Sequence, residues 1–128
     1  MIRVKGLSVA IGGGPVLEGV SLDLPPGSVT GLVGESGSGK SMTALAVMGL
    51  LPNRAQVSGQ VLLDGQNLLA LPEHKLCRIR GARIGMIFQE PMTALNPLMT
   101  IGDQVAEVLR IHEGMDRPAA LARAREGL

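Results

Sequence analysis

At 128 residues with 45% apolar side chains, the chain can build one hydrophobic core and not two. A net charge of +1, with its basic residues in no continuous run, gives no support for a nucleic-acid surface, and no stretch approaches the roughly 18 apolar residues of a membrane-spanning helix. A lone Cys77 excludes an internal disulfide, and Met1-Ile2-Arg3-Val4-Lys5 has no long apolar run behind its charges, so a soluble, cytoplasmic chain is expected.

Ile2 to Ile11 alternates loosely, as an edge or half-buried strand would, and Gly12-Gly13-Gly14-Pro15 breaks it. Val16 to Leu24 follows as a second strand. Val20, Leu22 and Leu24 share one face, Ser21 and Asp23 the other, and Pro25-Pro26-Gly27 turns the chain. These two strands predict an antiparallel layer. Ser28 to Val33 is a short apolar, β-branched run expected as a buried strand, and Met42 to Leu50 is a helix-length apolar run stopped by Leu51-Pro52-Asn53.

Between them lies Gly34-Glu35-Ser36-Gly37-Ser38-Gly39-Lys40-Ser41, which fits G-x-x-x-x-G-K-[ST] in full. The glycines let successive backbone N–H groups converge on one concavity, and a helix starting near Lys40 adds the positive end of its dipole. Such a cradle holds phosphates. Lys40 would then reach the β- and γ-phosphates of a nucleotide, and the Ser41 hydroxyl would serve as a ligand of Mg²⁺. A flexible Gly/Ser linker containing a lysine is the bland alternative, and the two flanking apolar segments speak against it.

Val57 to Leu63 reads as a further strand closed by an Asp64-Gly65 turn, which makes Asp64 a hairpin residue and not a magnesium ligand. Glu73 to Arg80 is a short helix between Pro72 and Gly81. Arg83 to Phe88 is expected as a buried strand that delivers Gln89-Glu90-Pro91 to the ligand edge of an open α/β sheet. Thr100-Ile101-Gly102-Asp103 has the spacing of a capping box, opening a helix with Ile101, Val105, Val108 and Leu109 at helical spacing. A second helix starts near Pro118. With Phe88 the only Phe, Tyr or Trp, the core is packed by aliphatic residues and methionine.

Glu18-Gly19-Val20-Ser21-Leu22, the loop Gly34 to Ser41, and above all Ile87-Phe88-Gln89-Glu90-Pro91-Met92-Thr93-Ala94-Leu95-Asn96-Pro97 resemble the ATP-binding subunits of ABC transporters. The branch is that of oligopeptide, dipeptide and nickel importers. The resemblance implies an α/β fold: a phosphate-loop NTPase (RecA-like) core with an N-terminal antiparallel β layer and the start of a helical subdomain. Residues 1–128 would be the N-terminal part of one such domain, with core and β layer to about residue 90 and the helical subdomain from about residue 91.

By the same resemblance, Gln89 reaches Mg²⁺ and the attacking water, so that Ser41 and Gln89 share the metal. The loop after it meets the membrane permease. ATP and Mg²⁺ are the implied cofactors. A second nucleotide-binding subunit, identical or not, and the permease are the implied partners, with an extracytoplasmic substrate-binding protein acting indirectly and no nucleic acid involved. The implied location is the cytoplasmic face of the membrane, and peptides come before nickel as cargo.

Two departures stand out. The aromatic residue that stacks on adenine in such subunits is matched here by Ile11, which puts base affinity or selectivity in doubt. No L-S-G-G-Q-type segment, no apolar run ending in Asp-Glu and no following histidine occur, since His74 and His112 come too early. The 128-residue chain alone is therefore expected to bind Mg·ATP weakly and to turn it over poorly or not at all. The alternatives are a truncated nucleotide-binding module without activity, one that only docks on a membrane partner, and a phosphate-loop kinase. A small GTPase is excluded by the lack of D-x-x-G and N-K-x-D segments.

Overall fold

The computed structural model describes residues 1–90 and 94–127. They fall into two compact units, Met1–Leu76 and Cys77–Leu128. Strands β1 (Ile2–Ile11), β2 (Gly14–Leu24), β3 (Ala55–Leu63) and β4 (Gln66–Asn67) and helix α1 (Lys40–Met48) belong to the first unit. The boundary falls within α2 (Glu73–Ile79), and α3 (Ile101–Glu113) and α4 (Arg117–Gly127) belong to the second.

In the first unit the strands form one antiparallel sheet in the order β2-β1-β3-β4. Its core is Val4, Leu7, Val9, Leu17, Val61 and Leu63, with Leu68 from the turn after β4. Val4 and Leu7 would face opposite sides of a regular strand, yet both are buried. A register shift between Lys5 and Ser8 resolves this: Gly6, at φ 53°, forms an irregularity that resets the parity of β1. Gly19 does the same in β2, between Leu17 and Val20. The displaced amides keep partners, since Gly6 N–H donates to Ser21 Oγ at 2.9 Å and Gly19 N–H to Ser8 Oγ at 2.9 Å. The loose alternation of β1 is thus a regular alternation interrupted once.

The expected antiparallel layer is present, and Asp64-Gly65 forms the β3–β4 turn with both residues at positive φ. Three expectations need correction. Residues 28–33 form no strand, and Val29 and Val33 are fully exposed. Arg83 to Phe88 is likewise no strand: Arg80 and Ile84 make a single bridge, and Ile87 is fully exposed. A buried parallel strand needs neighbours on both sides, and among the described residues no strand pairs with either run. The apolar composition records the environment those segments suit, not a partner next to them. Finally, α1 ends before Pro52, at Gly49, whose left-handed conformation turns its N–H back to Ala46 O, with Leu50 N–H on Leu45 O.

The second unit centres on an α3–α4 hairpin packed through Ala106, Ala120 and Ala124 against Leu109, Met115 and Leu121. Small residues let the helices approach. The N-cap half of the capping box is observed, Thr100 Oγ1 accepting the Asp103 N–H at 3.1 Å, while Asp103 Oδ2 accepts from the Thr100 hydroxyl at 2.8 Å. Arg117, at the start of α4, places Nε and Nη2 on Asp103 Oδ1 at 3.1 and 2.9 Å. Pro91, Met92 and Thr93 of the segment that carries the resemblance, and Leu128, lie outside the described residues.

The Thr100 hydroxyl, first, and the Arg117 guanidinium, second, hold the Asp103 carboxyl below its ordinary value of 3.8. The stabilisation is therefore fully present above about pH 4 and disappears as pH falls through the lowered native value. Acidification below pH 4 is expected to loosen the hairpin, read as loss of helical circular dichroism. Asp103→Asn should flatten that part of the profile, and an unchanged profile would remove Asp103 from the account.

Candidate phosphate-binding site

The loop between residue 33 and α1 is shaped by its own lysine. Lys40 Nζ donates to Gly34 O at 2.6 Å, to Glu35 O at 2.7 Å and to Ser38 Oγ at 3.3 Å, so the chain wraps around an ammonium group. Ser38 N–H closes a turn onto Glu35 O at 3.1 Å. A side chain at Gly34 would meet Ser38 Oγ at 2.5 Å and turn that hydroxyl away from Lys40.

Gly39 caps α1 at φ 94°, a conformation that favours glycine, and its missing side chain leaves room for Leu17 of β2. The cap makes no side-chain hydrogen bond and the first turn carries no acidic residue. The N–H groups of that turn are thereby left to solvent or to an anion, with the helix dipole adding to their pull. Thr43, buried one turn on, sends both its N–H (2.8 Å) and its hydroxyl (2.9 Å) to Gly39 O and anchors the cap from below. Ser41 is exposed at the second position of the helix.

The loop residues Gly34 to Ser41 are thus brought together as one cradle whose electrostatics suit phosphate. Gln89 belongs to the second unit, where it is exposed beside Phe88 and lines a shallow depression with Glu90 and Ala94. Ile11 ends β1, paired with Gly14 and Ala55. Among the described residues no group of three His, Cys, Asp or Glu is placed to hold a metal ion. A cation beside the Ser41 hydroxyl would take its other ligands from the phosphates themselves, as Mg²⁺ can. Leu17 and Thr43 support the loop without belonging to its motif. Thr43 carried a weak signal, being one helical turn from Gly39, whereas the contact of Leu17 comes from a distant strand.

Comparison with known proteins agrees with this geometry. A model of the family described as "ABC transporter" matches residues 17–127. The "Oligopeptide transport ATP-binding protein OppD" of Mycobacterium tuberculosis is 47% identical over 131 residues, covering 98% of this chain and 21% of that protein. The protein of the same name from Escherichia coli is 43% identical, covering 94% and 37%. The "Peptidoglycan transport ATP-binding protein YejF" of Agrobacterium fabrum is 48% identical, covering 98% and 24%.

The chain therefore spans between 21% and 37% of the length of these relatives. Among solved structures, the dimeric bacterial ABC transporter cassette MJ0796 superposes with a TM-score of 0.78 at 28% identity, over 98% of this chain and 55% of that one. Its post-hydrolysis state, bound to ADP and Pi, gives 0.79. These likenesses place the chain in the α/β class of ABC cassettes, of which it covers part.

Proposed function

The chain belongs to the ABC transporter family, and we propose that it forms the phosphate-binding part of an ATP-binding subunit that couples ATP binding and hydrolysis to the import of peptides. One observation carries the reading: Lys40 is held by the carbonyls of a glycine loop that leads into a helix N-terminus with no side-chain cap. The names of the relatives support peptide as cargo ahead of nickel, and the ADP and Pi of the cassette neighbour support a nucleotide in the cradle.

In this reading the N–H groups of Gly37, Gly39 and Lys40 enclose the β-phosphate, joined by that of Ser38 once it leaves Glu35 O. Lys40 turns its ammonium from the carbonyls of Gly34 and Glu35 to the β- and γ-phosphate oxygens. Glu35 and Ser36 complete the loop. By the family resemblance, the Ser41 hydroxyl and the Gln89 amide would be the chain's ligands for Mg²⁺, and Gln89 would also orient the attacking water. When bound, Mg²⁺ would supply neutralisation of the phosphate charge. The carboxylate for that water and the glycine-rich segment that closes over the γ-phosphate are not among these 128 residues. Residues beyond this stretch and a second nucleotide-binding subunit, identical or not, provide them, and the dimeric neighbour supports that pairing.

No helix among the described residues is long and apolar enough to cross a membrane. The subunit acts at the cytoplasmic face, where the loop after Gln89 meets the membrane permease, and an extracytoplasmic binding protein hands over cargo. A phosphate-loop kinase does not account for a family match that runs to residue 127.

Testing the reading requires the longer protein with its membrane subunits in liposomes. ATP-dependent uptake of an oligopeptide, lost in Lys40→Ala, is the expected result. Phosphate transfer from ATP to a small acceptor, with no dependence on membrane subunits, would favour the kinase instead.

A further inference from the structure

One peptide unit, Gly39–Lys40, joins the glycine loop to α1, and it is held from two sides. Its carbonyl oxygen accepts two bonds from the same residue one turn on: the Thr43 N–H at 2.8 Å, an ordinary rung of the helix, and the Thr43 hydroxyl at 2.9 Å. Strand β2 backs the unit. A Cβ on Gly39 would run into Leu17 Cδ2 and would meet Val16 O at 3.5 Å. Thr43 and Leu17 are both buried, at 6% and 5% exposure.

A threonine hydroxyl bonded to the carbonyl four residues earlier recurs in helices and does not by itself stabilise them. Here that carbonyl belongs to the cap. The chain has no cis peptide bond, and in a planar trans unit the N–H points opposite to the C=O. Pinning Gly39 O toward Thr43 therefore turns the Lys40 N–H outward, to the open end of α1, where the cap offers it no side chain.

We propose that Thr43 is a positioning residue for phosphate binding: its hydroxyl locks the Gly39–Lys40 unit in the orientation that aims the Lys40 N–H at a phosphate oxygen. This rests on the reading above, in which the loop holds the phosphates of a nucleotide. Two substitutions separate the hydroxyl from the packing. Valine keeps the branched shape and a similar helix propensity but has no donor, and Gly39 O keeps its bond from the backbone N–H, so no buried polar group loses its only partner. Serine keeps the donor and leaves a methyl-sized gap at a buried position.

The test titrates the longer protein, as wild type, Thr43→Val and Thr43→Ser, with Mg·ATP and with tripolyphosphate, which carries no base. Thr43→Val is expected to bind both about fivefold more weakly, the size of one hydrogen bond, with the thermal midpoint of the empty protein unchanged. Thr43→Ser is expected to do the reverse, keeping wild-type affinity with a lowered midpoint. In the wild type, hydrogen exchange at the Lys40 amide is expected to be fast in the empty protein and slowed by tripolyphosphate.

Wild-type affinity in Thr43→Val would overturn the proposal. So would losses of affinity that follow the midpoint in both variants, which mark a merely structural role, or a loss seen with Mg·ATP alone, which places the effect on the nucleoside. A Lys40 amide already protected before phosphate is added would overturn it in the wild type, even if neither variant folds. A wild-type protein that binds neither ligand would overturn the phosphate-binding reading itself, and the proposal with it.

Discussion

Lys40→Ala is expected to weaken Mg·ATP binding by about 100-fold or more, the loss of a charge-assisted hydrogen bond together with its charge. The structure shows why one side chain carries so much. The glycines supply neutral N–H donors and the helix a partial positive charge, while Lys40 supplies the only full positive charge within Gly34–Ser41, where Glu35 contributes one of opposite sign. Removing the ammonium leaves a triphosphate with dipoles alone to attract it.

Stability should respond much less, because α1 is held by the buried Thr43, Ala46 and Met48 and not by the exposed lysine bonds. Lys40→Arg is the informative companion. It keeps the charge but replaces a compact ammonium by a planar fork that does not match the two carbonyl oxygens, and an intermediate affinity is expected. Calorimetric titration with Mg·ATP reads all three proteins. Equal affinity in wild type and the alanine variant would remove the loop from the account.

Gly59→Ala is expected to produce the largest loss of stability among single-methyl substitutions, about 2–4 kcal/mol, from strained backbone and steric overlap together. The added Cβ would lie 2.5 Å from Gly6 O and 2.7 Å from Gly6 C and Lys5 O, all backbone atoms of the central strand β1, at φ 97°. Backbone in mid-sheet cannot step aside as a flexible side chain can. The adjoining irregularity in β1 is what lets Leu7 and Val9 join Val4 in the core, so the clash falls on the feature that sets the burial pattern.

Gly13→Ala isolates the contact from the conformation. Gly13 sits at φ 82° with nothing within 4 Å of the added carbon, so only the strain of positive φ, about 1 kcal/mol, is expected. Urea midpoints of the two variants should differ clearly. Coincident midpoints would mean that the close approach of β1 and β3 is not as the structure has it.

Much of the site was legible in the sequence because its chemistry is local. The eight residues Gly34 to Ser41 specify a turn, a lysine and a helix start within one short stretch, and a coarse apolar pattern places strand-like and helical segments around them. The capping box at Thr100 and Asp103 and the Asp64-Gly65 turn were legible for the same reason, each being a few residues long.

Segments that depend on distant partners were not legible. Residues 28–33 and Arg83 to Phe88 read as buried strands from composition alone, and strand identity is decided by ladder partners that composition does not name. Nor could the parity resets at Gly6 and Gly19 be deduced, since the serines that accept their amides lie on the facing strand. Gln104 looked like any polar residue of an amphipathic helix. Its hydrogen bonds follow from where the Asn96 peptide lies, eight positions earlier, and only coordinates show that.

The central claim is that the backbone amides of this loop form a phosphate cradle. It is tested most directly by titrating ¹⁵N-labelled protein with Mg·ATP and following the amide resonances of Gly37, Ser38, Gly39 and Lys40. Saturable shifts at these four amides, reproduced by tripolyphosphate and absent in Lys40→Ala, are the predicted result. Shifts confined to other residues, or none at concentrations that saturate binding by calorimetry, would contradict it.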